Sequence, residues 1–166
     1  MTCLLILFFL LDTNVLVEAH RRYYARDIVP SYWKWLHDEI AQRGRIISIL
    51  PVYKELIAGK DELAQWVAER KEYFKPLTAE SVAALETVAN WAQNKDQYKQ
   101  TAKNEFLSVA DSSLVAFAKA HDRTVVTLEQ PAPESKNRIL IPDACQAHRV
   151  KYCDPFEMMR SLGGSI

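Results

Sequence analysis

A chain of 166 residues with 49% hydrophobic and 25% charged residues has the size and composition of a globular protein that buries one substantial core. Lys plus Arg and Asp plus Glu both number 21, which excludes a protein that coats nucleic acid through net positive charge. It leaves room for an enzyme whose acidic site and basic rim cancel in the sum.

The chain opens with an apolar run that Asp12 and Asn14 interrupt well before the ~20 residues a membrane span requires. The run lacks a basic leader region and a small-residue cleavage site, so it reads as a core strand over residues 8–11 and not as a signal or membrane segment. Residues 2–6 are either a short extension of it or the product of a start codon placed too early. A strand that stops at a carboxylate and leads into a helix puts Asp12 at the carboxyl edge of a sheet, where open α/β folds carry their chemistry. The alternative is that Asp12 only caps the next helix.

A helix follows from Val15 and ends in the basic, aromatic cluster His20-Arg21-Arg22-Tyr23-Tyr24. Pro30 and Ser31 open a second helix, with Ser31 as N-cap, Trp33, Leu36 and Ile40 on one face, and Gly44 closing it. Residues 45–50 are rich in β-branched side chains and predict the second strand. Pro51 begins a third helix, which carries Glu55 about one turn from the strand's end and stops at Gly59. Residues 61–74 and 78–93 predict two amphipathic helices, with buried stripes of Leu63, Trp66 and Val67 and of Val82, Leu85, Val88 and Ala92.

Lys95, Lys99 and Lys103 at four-residue spacing read as a solvated helix face, with a phosphate-contacting rim as the alternative. Residues 106–118 predict a helix with Asp111 at its start or in its first turn. Residues 124–128 form a buried strand, with Glu129 just beyond it. After a Pro-containing loop, residues 138–141 predict a short strand and Pro142 a short helix. Residues 150–153 read as an edge strand and residues 155–162 as a last helix. Strands alternating with helices give one α/β domain over residues 1–166 with a mainly parallel sheet and a helical excursion at about 61–105.

The three cysteines, Cys3, Cys145 and Cys153, are an odd set without regular spacing, which argues for reduced thiols in the cytoplasm over a disulfide scaffold. Cys145, His148 and Cys153 lack a fourth zinc ligand at a suitable spacing, so buried thiols are the simpler reading. The four glycines, Gly44, Gly59, Gly163 and Gly164, fit no phosphate loop. Asn14 stands where a haloacid-dehalogenase-type phosphatase would need a second Asp, and the histidines form no triad-like or H-E-x-x-H setting.

Asp12, Glu55, Asp111 and Glu129 are all expected at one sheet edge. Carboxylates brought together there repel, and a hard divalent cation, Mg²⁺ or Mn²⁺, resolves the conflict. Asp12, Glu55 and Asp111 are expected close enough to share one cation, with Glu129 nearby. Such a site suits metal-assisted phosphodiester hydrolysis.

Leu-Leu-Asp12-Thr-Asn-Val-Leu, Val-Tyr-Lys-Glu55-Leu, Ala-Asp111-Ser-Ser-Leu-Val-Ala and Thr-Val-Val-Thr127-Leu-Glu129 stand in the order and spacing of a PIN domain. Across nearly its whole length the chain resembles that superfamily. It is most similar to a longer bacterial PIN-like group through Arg22-Tyr-Tyr, Pro30-Ser-Tyr-Trp-Lys-Trp and Ser135-Lys-Asn-Arg-Ile-Leu-Ile-Pro142-Asp-Ala-Cys145. The resemblance implies a three-layer α/β/α fold whose central sheet has four to five strands. It also implies Mg²⁺- or Mn²⁺-dependent RNA cleavage, as in VapC-type toxins restrained by an antitoxin.

By matched position Asp12, Glu55 and Asp111 would bind metal, supported by Thr13 or Asn14 and by Thr127. Glu129 replaces the commoner Asp and is set off by Leu128, which suits a water-mediated or outer role. Arg21, Arg22, Arg26 and Lys34 alternate with Tyr23, Tyr24, Trp33 and Trp35, a pattern suited to phosphates and stacked bases. Solvated charges over packed aromatics are the competing reading.

The sequence thus reads as a metal-dependent endoribonuclease and toxin. A catalytically silent PIN-like RNA- or protein-binding module and a structure-specific DNA nuclease are the alternatives. The oligomeric state is left open, a homodimer included.

Overall fold

The computed structural model describes residues 7–166; Cys3 and the extension expected over residues 2–6 lie outside them. Among the described residues five strands form one parallel sheet in the order β3-β2-β1-β4-β5. They are β1 (Phe9–Leu11), β2 (Ile46–Ile49), β3 (Phe74–Lys75), β4 (Thr124–Val126) and β5 (Tyr152–Cys153). Every residue of β1 and β2 is buried, as a parallel sheet covered on both faces requires. The helices around it are α1 (Thr13–Glu18), α2 (Pro30–His37), α3 (Leu50–Ala58), α4 (Glu62–Ala68), α5 (Ala79–Gln93), α6 (Gln100–Ser108), α7 (Ala110–His121), α8 (Ile141–Ala147) and α9 (Pro155–Ser161).

The chain winds from β1 outward to β2 and β3, then returns to place β4 on the other side of β1. The strand order therefore reverses between β1 and β4, the crevice at which open α/β sheets bind ligands. Leu11 pairs with Val126 in register, so Asp12 and Thr127 emerge side by side at the carboxyl edge. The Asp12 amide donates to the Val126 carbonyl at 3.0 Å, and the buried Ser48 hydroxyl donates to the Leu11 carbonyl at 2.6 Å.

Several local expectations give way to tertiary packing. The helix expected over residues 61–74 stops at Ala68. After one 3₁₀ turn, Phe74 and Lys75 pair with Ser48 and Ile49 as β3, because a buried edge partner outweighs two residues of helix propensity. Residues 138–141 form no strand: Ile139 plugs the core alone, and Ile141 begins α8. The first residue of α2 is Pro30 and its N-cap is Val29, not Ser31, since proline's missing N–H suits a helix start. Val82 lies exposed, outside the stripe assigned to it, while Ser81 is buried in a capping box with Thr78. Lys103 is buried too, its Nζ donating to the Gln93 carbonyl at 2.8 Å. The stripe of Leu63, Trp66 and Val67 is buried as expected.

Two helices end in wide π turns, Ala19–Tyr23 after α1 and Asp38–Gln42 after α2. The second is followed by Gly44 at φ +63°, a left-handed turn that glycine takes without Cβ strain. Residues 106–118 do not form one helix. Val109 is extended (φ −105°, ψ −179°) and separates α6 from α7.

At the amino edge, Glu39 is fully buried and held by a fork of two cations. Arg45 donates to both its oxygens at 2.7 Å, and Arg43 donates to Oε1 at 2.6 Å. The Arg45 carbonyl accepts the Phe9 amide at 2.8 Å, which ties this ion cluster to the start of β1. No helix among the described residues is long and apolar enough to cross a membrane.

Removing one partner of a buried ion pair strands the other charge away from water. Arg45→Met is accordingly expected to destabilise the protein by about 3 kcal/mol, measured by urea unfolding, with the m-value unchanged. A loss of only a few tenths would show that Arg43 alone satisfies Glu39.

Candidate active site

Asp12 is buried to 3% exposure at the end of β1, and its Oδ2 accepts from the Thr127 hydroxyl at 2.9 Å. That hydroxyl in turn accepts the Glu129 amide at 3.1 Å, so its one proton is directed to Asp12. The turn after β4 thus fixes the rotamer of the carboxylate after β1.

Glu55 projects from α3 with both oxygens engaged. Oε2 accepts from the Thr13 hydroxyl at 2.6 Å, and Oε1 accepts from the Ala110 amide at 2.8 Å. The extended Val109 is what frees that amide: a continuous helix through residues 106–118 would have bonded it internally. Glu129 is placed alike. Its Oε2 accepts from the amide of Ile141, the first residue of α8, at 2.7 Å, while Arg138 Nη2 lies 3.4 Å from Oε1. Each glutamate therefore sits on the positive end of a helix, where negative charge is stabilised.

The two aspartates are less well compensated. Burial pushes the Asp12 carboxyl up to about 7; the Thr127 hydrogen bond opposes this, and the charges of Glu129 and Glu55 add to it. Asp111, the second residue of α7, is pushed up to about 8, first by burial, then by the charges of Asp12, Glu129 and Glu55. Arg138 pulls it back. Burial and neighbouring charge thus hold both carboxyls toward the neutral form, and the Asp12 charge adds to the rise at Asp111.

An all-oxygen set of four carboxyl groups fits a hard divalent cation in its chemistry. The arrangement is not a ready-made cage, however. Among the described residues no three carboxylate, histidine or cysteine side chains are gathered closely enough to hold one ion, contrary to the sharing expected of Asp12, Glu55 and Asp111. The reason is that Glu55 and Glu129 are drawn to helix amides. A cation such as Mg²⁺, which binds through one or two carboxylates and keeps several waters, is still compatible with the set.

Of the supporting residues, Thr127 serves Asp12 and Thr13 serves Glu55, whereas Asn14 is exposed. The four cations proposed for nucleic acid lie on the surface. Arg21 pairs with Asp61 at 3.6 Å, Arg22 with Glu18 at 3.0 Å and Lys34 with Asp38 at 3.1 Å, and Arg26 stands 6.0 Å from the Trp66 ring centre. Of the aromatics between them, Trp33 is buried edge-on to Trp66, Tyr24 and Trp35 are partly buried against the core, and Tyr23 is 49% exposed. Cys145 and Cys153 are free thiols pushed up to about 12, chiefly by burial. Sequence reasoning passed over Arg138 and the amides of Ala110 and Ile141. A basic residue in a loop and two main-chain groups carry no sequence signal.

With this geometry, the architecture is that of a PIN-like α/β fold. The chain is similar to the crystal structure of FitAcB from Neisseria gonorrhoeae, with a TM-score of 0.54 and 18% identity over 90% of this chain and 99% of that one. It is similar as well to the structure of FitAB bound to an IR36 DNA fragment (TM-score 0.55, 17% identity, 90% and 96% covered). A third likeness is to the crystal structure of VapBC2 from Rickettsia felis bound to a DNA fragment from their promoter (TM-score 0.53, 14% identity, 89% and 98% covered). At these identities the likeness concerns the fold. No curated protein sequence matches the chain. Residues 9–166 match the family described as domain of unknown function DUF4411, and the chain belongs to that family.

A carboxyl whose folded pKa exceeds its unfolded value makes the folded state hold more protons between the two. With Asp12 and Asp111 raised from 3.8 to about 7 and about 8, stability is expected to fall as pH rises through that window. Thermal melts in EDTA across the window should show this decline, and Asp111→Asn should flatten it and melt no lower than wild type at its upper end. A stability that climbs with pH, or a variant that melts clearly lower, would identify Asp111 as a stabilising helix cap instead.

Proposed function

We propose that this chain is a divalent-metal-dependent nuclease that hydrolyses RNA phosphodiesters and serves as the toxin of a toxin–antitoxin pair. The observation that carries the reading is the set of carboxylates at the crevice where the strand order reverses: Asp12 and Glu129 joined through Thr127, and Glu55 held on the first amide of the helix that bears Asp111. A scaffold gains nothing from mutual repulsion there, which weighs against a silent RNA- or protein-binding module. Asp12 and Asp111 would hold Mg²⁺ or Mn²⁺, with Glu55 and Glu129 adding negative charge around it. When bound, such a cation polarises the phosphodiester, lowers the pKa of attacking water and stabilises the departing oxygen.

The chain's own part in this is orientation. Thr127 fixes the Asp12 rotamer, and Thr13 with the Ala110 amide fixes Glu55, so the carboxylates need not reorganise as substrate arrives. The free thiols of Cys145 and Cys153 accord with work in the reducing cytoplasm. The likeness in fold to FitAB and VapBC2, together with the resemblance to VapC-type toxins, supports a protein partner that restrains the activity. RNA is taken as substrate from the resemblance to VapC-type toxins, and DNA is the competing substrate in the test.

Labelled single-stranded RNA and DNA incubated with the protein should show RNA cleavage with Mn²⁺ or Mg²⁺ and none with EDTA. Asp111→Asn should abolish cleavage, and Thr127→Val should slow it by about 10–100-fold, the scale of losing a hydrogen bond behind a metal ligand. Mn²⁺ at about a hundred times its dissociation constant should stabilise wild type by ~2.7 kcal/mol and Asp111→Asn by much less at the same concentration. Cleavage that persists in EDTA or in Asp111→Asn would refute the assignment, and cleavage of DNA alone would replace the substrate.

A further inference from the structure

We infer that Arg138 is the substrate-phosphate contact of this site: a guanidinium parked on Glu129 that exchanges it for the nucleic-acid backbone when substrate enters. The inference rests on the nuclease reading and adds a residue to it.

The first ground is position. Arg138 Nη2 lies 3.4 Å from Oε1 of Glu129, the residue whose amide is joined through Thr127 to Asp12. Arg21, Arg22 and Lys34 instead pair with Asp61, Glu18 and Asp38, carboxylates outside the cluster. A phosphodiester brought up to Asp12, Glu55, Asp111 and Glu129 meets four acidic groups, and a fixed cation on their rim lowers that barrier to approach.

The second ground is how the loop is held. Gln97 Nε2 donates to the carbonyls of Pro133 at 2.5 Å and Ser135 at 2.8 Å, and the Lys99 amide donates to the Lys136 carbonyl at 2.9 Å. The Ala132 amide donates to Asp143 Oδ2 at 3.0 Å, the Arg138 amide donates to Ser135 Oγ at 3.3 Å, and Ile139 next door is buried. The root of Arg138 is therefore anchored from both sides, while its side chain remains 56% exposed. A long arm with a fixed root and a free tip is suited to sweep a short arc over the carboxylates.

The third ground is chemical. The pair with Glu129 is long and its guanidinium side is open to water, and Glu129 keeps its Ile141 amide partner when the guanidinium leaves. The guanidinium fork matches two oxygens of a phosphate, which a lysine ammonium does not.

The test measures two things. Cleavage of single-stranded RNA with Mn²⁺ is followed for wild type, Arg138→Ala, Arg138→Lys and Lys151→Ala, the last an exposed lysine before β5 at the opposite edge. Binding of a fluorescent RNA oligonucleotide against salt is followed for the same changes in the Asp111→Asn background, which carries one repelling charge fewer. Arg138→Ala is expected to lower kcat/KM by about tenfold or more. It should also reduce the slope of log affinity against log salt by about 0.7, one single-strand phosphate contact. Arg138→Lys should keep the salt slope yet lose cleavage, and Lys151→Ala should change neither. If wild type cleaves while Arg138→Ala leaves rate and salt slope intact, Arg138 has no substrate role and the nuclease reading stands. If wild type neither cleaves nor, as Asp111→Asn, binds, the nuclease reading fails and this inference falls with it.

Discussion

Two glutamates place their carboxylates on the first amides of two helices, and the rest of the carboxyl edge follows from those contacts. Glu55 on Ala110 and Glu129 on Ile141 each join segments far apart in sequence, α3 to α7 and the turn after β4 to α8. Each is an acceptor at a helix's positive end, where negative charge is stabilised. The contacts also fix where α7 starts, and hence where Asp111 stands relative to Asp12. Burial outweighs the Thr127 hydrogen bond at Asp12 and the Arg138 charge at Asp111, which is why their carboxyls are held toward the neutral form. Structure and proposed chemistry draw on one imbalance: glutamates braced on helix amides, and aspartates whose carboxyls burial holds toward the neutral form.

The acidic positions were legible because each follows an apolar run that could only be a buried strand or helix. Asp12 ends the run of β1, and Thr127 and Glu129 follow β4. The break at Val109 was not legible, since residues 106–118 are apolar on nearly every side and read equally well as one buried helix. β3 escaped for a different reason. Two residues carry no periodicity, and Phe74 becomes a strand only because Ser48 lies beside it.

The basic cluster near Arg22 drew attention by composition, yet Trp33 packs in the core and Arg21, Arg22 and Lys34 pair with carboxylates nearby. The cation that meets the carboxylates, Arg138, comes from a loop whose course is set by Gln97, Lys99 and Asp143, contacts that no local pattern announces. Glu39 shows the same limit at the other edge. A charge reads as solvent-facing until the fold supplies two arginines to bury it.

The central claim is that Asp12 and Asp111 carry an electrostatic conflict that a divalent cation relieves. Carbon-13 NMR titration of the aspartate side-chain carboxyls, assigned through Asp12→Asn and Asp111→Asn and recorded with EDTA and then with Mg²⁺, tests it most directly. The account predicts that without metal at least one of the pair titrates well above 3.8, toward 7 or 8, and that Mg²⁺ drives that transition back down. Two aspartates that titrate at ordinary values and ignore Mg²⁺ would contradict it.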